Sequence, residues 1–155
     1  MRVEFRAGFD LQNLADAGGK PLAVVFLDLD GFKAVNDELG HQYGDEVLRE
    51  VSRRLREVVR QDDMVGRLGG DEFVAICEDA DLAAAASIAD RIRRAIREPV
   101  SGIPDSLPVS ASVGVALYLP GEDPVPTFDH MLNLADNAMY EGKAAGKDRV
   151  TFVRR

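Results

Sequence analysis

The apolar positions of this chain fall into runs of two kinds. Residues 22–27 form an unbroken apolar run that ends in acid at Asp28, the pattern of a central strand whose far end opens into a site. Shorter runs over residues 64–68 and 73–77 flank Gly69-Gly70-Asp71-Glu72 and predict a tight β-hairpin, because glycine takes positive φ without steric cost. Further strands are predicted over residues 109–119, where small and apolar residues alternate, and over residues 149–153. Helical spacing governs the rest. Phe5, Phe9 and Leu14 mark one face of a helix over residues 2–17, ended by Gly18-Gly19 and blocked by Pro21. Val47, Leu48, Val51, Leu55, Val58 and Val59 predict a helix that begins at Gly44-Asp45 and ends near Arg60. Ile88, Ile92 and Ile96 predict another from Asp81 to Arg97, closed by Pro99. After a loop over residues 120–126, Met131, Leu132, Leu134, Ala135, Ala138 and Met139 turn inward from a last helix over residues 128–145. This order of elements predicts an α+β fold with a largely antiparallel sheet flanked by helices, which a ferredoxin-like palm accommodates.

Composition narrows the classes. With 155 residues, 46% apolar content, no low-complexity stretch and no internal repeat, residues 1–155 read as one domain with a proper core. The longest apolar run is far short of the roughly 20 residues that a membrane helix needs. Residues 1–6 lack the apolar centre of a signal peptide, so no membrane segment is expected in this chain. A formal net charge of -8 argues against DNA or RNA as a partner, since such binders present a basic face. Cys77, the only cysteine, excludes an intrachain disulfide and fits a cytoplasmic location; its place in an apolar run marks it as a buried, inert thiol. An acidic chain still binds a polyphosphate where divalent cations and a few lysines neutralise the site.

Candidate chemistry gathers at two acidic points. Asp71 and Glu72 occupy the hairpin tip, and Asp28 ends the first strand with Asp30 just beyond Leu29. Taken singly, these residues equally fit solvated carboxylates at a turn and at a strand end. If the strand and the hairpin lie side by side, three carboxylates share a small volume and raise one another's pKa, which is costly unless cations sit among them. Such oxygen ligands suit Mg²⁺ or Mn²⁺, with phosphates and water completing the shell. Two such ions would polarise an α-phosphate and acidify an attacking hydroxyl. His41 and His130 are too far apart for zinc-like spacing, and there is neither a Walker-type loop nor a strand-associated Gly-x-Gly-x-x-Gly.

Four ordered blocks carry a resemblance. Asp28-Leu29-Asp30-Gly31-Phe32-Lys33-Ala34-Val35-Asn36-Asp37, Gly40-His41-Gln42-Tyr43-Gly44-Asp45, Arg67 to Phe73, and Ala135-Asp136-Asn137-Ala138-Met139-Tyr140 with Lys143 and Gly146-Lys147 resemble the GGDEF family of diguanylate cyclases. The resemblance extends over most of the chain. It implies a palm-like domain that condenses two GTP molecules into cyclic di-GMP with release of pyrophosphate, each subunit of a homodimer holding one GTP. By that resemblance Asp28, the Leu29 carbonyl and Asp71 hold Mg²⁺ (or Mn²⁺), two ions per half-site, with Glu72 joining them. Asp71 is also the candidate acceptor of the ribose 3′-hydroxyl proton. Gly31, Phe32 and Lys33 cradle phosphate oxygens, Lys33 stabilising transition-state charge. Lys143 and Lys147, taken as one turn apart on one face of the last helix, grip the β- and γ-phosphates. Asn36 and Asp45 read the base, since a carboxylate accepts from guanine N1–H and the exocyclic amine whereas adenine offers an unprotonated N1. His41 lines the site. Arg60-Gln61-Asp62-Asp63 matches the family's Arg-x-x-Asp product-inhibition site, with Arg91 as a second contact.

Plainer roles fit the same residue types. Asp45 suits a helix N-cap, Lys33 an exposed surface lysine, Lys143 and Lys147 a solvated basic face, and Arg60 with Asp63 the ordinary decoration of a helix C-terminus. The chain also departs from the family pattern. The family's Asp-x-Leu-Thr-x-Leu turn is absent before residue 1, which leads us to expect an excised or N-terminally truncated domain. Lys147 and Asp148 stand where Arg and Asn are usual, and Gly142 is expected to loosen the last helix. A module that binds GTP or cyclic di-GMP without turnover is the alternative to the enzyme.

Overall fold

The computed structural model describes residues 19–122 and 126–154, so the helix expected over residues 2–17 lies outside the described residues. The apolar run becomes the central strand β1 (Leu22–Asp30), which pairs antiparallel with β3 (Glu72–Glu78) on one side and β4 (Ser110–Tyr118) on the other. Strand β2 (Met64–Gly69) extends the sheet antiparallel to β3, and β5 (Arg149–Arg154) adds parallel to β4. The resulting order β2-β3-β1-β4-β5 is a ferredoxin-like βαββαβ palm with one further strand.

Side-chain alternation along β1 divides the core in two. Ala23, Val25, Leu27 and Leu29 pack with the inner residues of α1 (Phe32–Leu39), α2 (His41–Val58) and α3 (Leu82–Arg97). Leu22, Val24 and Phe26 pack with Phe128, Met131, Ala135 and Met139 of α4 (Phe128–Ala144) on the other face. Each fully buried aliphatic side chain contributes roughly 1.5–3 kcal/mol. The period of two then decides the direction of the acids: Asp28 and Asp30 continue the row that faces α4. Helix α4 also lies close to the sheet, since a Cβ on Gly114 would stand 2.0 Å from the Ala135 carbonyl oxygen.

Several expectations are corrected. Helix α2 begins at His41 rather than at Gly44-Asp45, and the short α1 precedes it unpredicted. Gly40, at φ 98, separates the two helices and is the N-cap of α2, so Asp45 is an exposed residue inside α2 and not a cap. Lys147 does not share a helix face with Lys143: α4 ends at Ala144, and Lys147 follows in a left-handed turn at φ 64. Gly142 has a packing reason within α4. It is buried, and a Cβ there would stand 2.6 Å from Thr151 Oγ1, so its bare backbone lets α4 meet β5. Among the described residues no helix is long and apolar enough to cross a membrane.

Side chains secure both ends of α3 and the start of α4. Asp81 accepts from the Ala84 N–H at 2.9 Å and Thr127 from the His130 N–H at 3.1 Å, satisfying first-turn donors of α3 and α4. Arg54 on α2 closes α3 from the other end, donating to the carbonyls of Ala95 at 2.9 Å, Glu98 at 2.8 Å and Pro99 at 2.8 Å.

Candidate active site

The register of the sheet gathers the acids. Asp28 lies directly opposite Glu72 in the β1–β3 ladder and opposite Ser112 in the β1–β4 ladder. Gly69 pairs with Glu72, leaving Gly70 and Asp71 as a two-residue turn in which Gly70 takes φ 49. Arg67 Nε donates to the Gly70 carbonyl at 2.8 Å, and the Leu29 N–H donates to the Asp71 carbonyl at 3.1 Å. The hairpin tip is thereby bound onto the end of β1, as the side-by-side arrangement requires.

Charge crowds there. Burial, then the neighbouring Asp28 carboxylate, pushes Asp71 up to about 6. Burial likewise raises Glu72, with Asp28 and then Asp136 adding to the effect. One ammonium answers these acids: Lys143 Nζ reaches Asp28 Oδ2 at 2.9 Å and Asp30 Oδ1 at 3.3 Å. Burial works against the charge on Lys143, but its hydrogen bond to Asp28 and the charges of Asp28 and Asp30 outweigh it, and the pKa stands above the ordinary lysine value.

Those residues fit a hard divalent cation. Asp28 Oδ1 is buried and has no hydrogen-bond partner, a costly arrangement for a carboxylate oxygen that a cation would relieve. Among the described residues no three His, Cys, Asp or Glu side chains form a metal cage by themselves. Mg²⁺ ordinarily takes one or two carboxylates and fills the rest of its shell from substrate phosphates and water.

Asp30 is the residue that sequence reasoning left without a role. It is 5% exposed and accepts from Ser112 Oγ at 3.0 Å, Ser110 Oγ at 3.2 Å and the Asp148 N–H at 3.1 Å. The available signal was the alternation Ser110-x-Ser112, which places two hydroxyls on the same face of β4.

The phosphate and base candidates follow from the α1–α2 corner. Gly31 takes φ 85 at the start of α1, and a Cβ there would stand 2.2 Å from the Pro108 carbonyl oxygen, so only glycine fits the turn that presents Phe32 and the exposed Lys33. Asn36 is half-buried and leans over α2, where a Cβ on Gly44 would stand 1.8 Å from its Oδ1. Gly44 therefore sets the position of Asn36. Gln42, Tyr43, Asp45, Glu46 and Arg49 line an open cleft of about 320 Å³. Asp45 thus faces an accessible hollow, while His41 is exposed at the first turn of α2 and Lys147 is exposed beyond α4.

Arg60 and Asp63 meet, but in a turn. Asp63 Oδ2 accepts from the Arg60 N–H at 2.9 Å and Nε at 3.4 Å, and Arg60 Nη2 donates to the Glu78 carbonyl at 2.6 Å. The Asp63 carboxylate is 2% exposed against 49% for the Arg60 side chain, so the guanidinium is the accessible partner. Arg91 is exposed on α3. Cys77 is buried, and burial, with the nearby Asp63 charge, pushes its thiol up to about 12, as an inert core cysteine requires.

Comparison with known proteins fits this geometry. The family model described as "Diguanylate cyclase, GGDEF domain" matches residues 5–149. The bifunctional diguanylate cyclase/cyclic di-GMP phosphodiesterase MucR of Pseudomonas aeruginosa is 46% identical over 130 residues, covering 84% of this chain and 18% of that protein. The cyclic di-GMP phosphodiesterase NbdA of the same organism is 39% identical over 137 residues, covering 88% of this chain and 17% of that protein. The chain spans less than a fifth of either relative. Among solved structures, the GGDEF domain of DgcB from Caulobacter crescentus, in complex with c-di-GMP, superposes with a TM-score of 0.76 at 30% identity, covering 97% of this chain and 98% of that one. The chain therefore belongs to the diguanylate cyclase GGDEF-domain family.

Proposed function

We propose that this domain condenses two GTP molecules into cyclic di-GMP at the interface of a homodimer. The observation that carries the reading is the convergence of Asp28, Asp71 and Glu72 at the end of β1, with a buried Asp28 oxygen left unpartnered. Asp28, the Leu29 carbonyl, Asp71 and Glu72 would hold Mg²⁺, which when bound polarises the α-phosphate and acidifies the 3′-hydroxyl. Gly31, Phe32 and Lys33 hold phosphate oxygens at the start of α1, while Asp45 and Asn36 select guanine from α2 and α1. Asp71 takes the proton of the 3′-hydroxyl as its oxygen bonds to the α-phosphorus of the GTP on the facing subunit. The bond from that phosphorus to the β-phosphate oxygen breaks and pyrophosphate leaves; the reciprocal step closes the ring. Arg60, exposed and oriented by Asp63, binds product and limits the rate.

The test is to incubate the purified chain with Mg²⁺ and either GTP or ATP and resolve the products by mass. Cyclic di-GMP from GTP, none from ATP and none with Asp71→Asn is the expected pattern. No product at any chain concentration would remove the enzymatic reading. A second reading, a module that binds nucleotide without turnover, draws on the match to the phosphodiesterase NbdA and on the hold that Asp28 and Asp30 have on Lys143. It is distinguished by binding of cyclic di-GMP in the absence of turnover.

A further inference from the structure

Asp30 cannot serve the cation as Asp28 can, because donors from three other elements already occupy it. Ser110 and Ser112 come from β4, the Asp148 N–H from the turn into β5, and the Lys143 ammonium from α4. The Asp148 carboxylate is held in turn by Arg93 and Arg97 of α3, each at 3.4 Å. Lys147 and Asp148 both have positive φ, 64 and 45, so this turn keeps a backbone conformation that side chains ordinarily avoid. Two serines and one N–H would satisfy a carboxylate whose only duty was to complete the core; the ammonium is a further charge, shared with Asp28.

We propose that Asp30 is the positioning residue of the phosphate grip. It anchors Lys143 directly and the Lys147 turn through the Asp148 N–H, so that both ammonium groups stay in place when a cation claims the Asp28 oxygens. Lys143 then loses one of its two anchors and keeps the other. This rests on the proposed diguanylate cyclase reading, with the β- and γ-phosphate role that the family resemblance gives those two lysines.

The experiment compares binding of GMP and of the α,β-methylene analogue of GTP, with Mg²⁺, by calorimetry. Asp30→Asn preserves shape and an acceptor oxygen while removing the charge. The triphosphate affinity is expected to fall about tenfold, the scale of one charge-assisted contact. The GMP affinity, which does not use the lysines, should change less than about twofold. A purely structural defect would weaken both ligands alike, and that result, or no change in either, overturns the proposal. Asp148→Asn, which keeps the N–H but frees the turn from Arg93 and Arg97, should show the same selective loss in smaller measure and serves if Asp30→Asn does not fold. In a Lys143→Met background Asp30→Asn should shift the triphosphate-to-GMP ratio less than it does in the wild type; an undiminished shift overturns the proposal. If the wild type binds neither nucleotide, the parent reading falls and this one with it. If the wild type favours the triphosphate and Asp30→Asn is indistinguishable from it, only this one falls.

Discussion

Asp71 carries a charge that the metal-free fold disfavours, and the sign of its effect is testable. Its pKa rises from an ordinary 3.8 to about 6, so the folded state binds the proton more tightly than the unfolded chain. The stability this contributes is complete below about pH 4 and is lost as pH rises through about 6. In the presence of a chelator, Asp71→Asn should therefore melt higher than the wild type at pH 7.5, by roughly 2–4 °C, or about 1 kcal/mol after solvent screening. At pH 4 the two should coincide. Added Mg²⁺ should raise the wild-type melting temperature at pH 7.5 and leave the variant nearly unmoved; parallel melting curves across this range would contradict the account. Arg60 makes a separate claim: Arg60→Ala should leave the initial rate intact and abolish its decline as cyclic di-GMP accumulates, in a progress-curve assay. At this scale the acids were legible because adjacent carboxylates after two glycines are an unusual pattern. Asp30 was not, because a carboxylate near a strand end reads the same whether its donors are water or groups contributed by β4, α4 and the turn before β5.

Elements place those residues, and glycine decides two of the placements. Gly31→Ala meets backbone at Pro108 and an unfavourable φ, so it should destabilise the fold by about 3 kcal/mol in denaturant titration. Gly44→Ala meets only the end of the Asn36 side chain, which can turn away. Its folding cost should stay below about 1 kcal/mol, since Ala favours the helix, while guanine-nucleotide affinity falls roughly fivefold. Equal effects of the two substitutions on stability would contradict this difference. The strands and longer helices were legible because their apolar runs and repeats are long. Helix α1 was not: its eight residues offer Phe32, Val35 and Leu39 between two glycines, too few turns for a period to emerge. The polar opening of α2 hid its start in the same way, whereas α4 ends at Ala144, within one residue of the expected boundary.

For the whole molecule, the sheet order brings residues distant in sequence to one end of β1, and the pairing of strands was legible only as a class of fold. The register that sets Asp28 opposite Glu72 depends on pairing between strands far apart in the chain, which no local pattern encodes. On the proposed reading, one half-site per chain makes turnover a property of two molecules. Turnover per chain should rise with chain concentration in the dilute range and level off as dimers saturate; a constant value throughout would contradict a two-subunit site. The central claim is that the end of β1 and the Gly-Gly-Asp-Glu turn together hold a metal-bound nucleotide. A crystal structure with Mn²⁺ and the α,β-methylene analogue of GTP tests it most directly, through the anomalous signal of manganese. The account expects manganese within coordinating distance of Asp28 Oδ1 and the nucleotide phosphates, with Lys143 released by Asp28, still paired to Asp30 and in contact with those phosphates. Manganese and nucleotide bound elsewhere, with Lys143 still paired to Asp28, would contradict it.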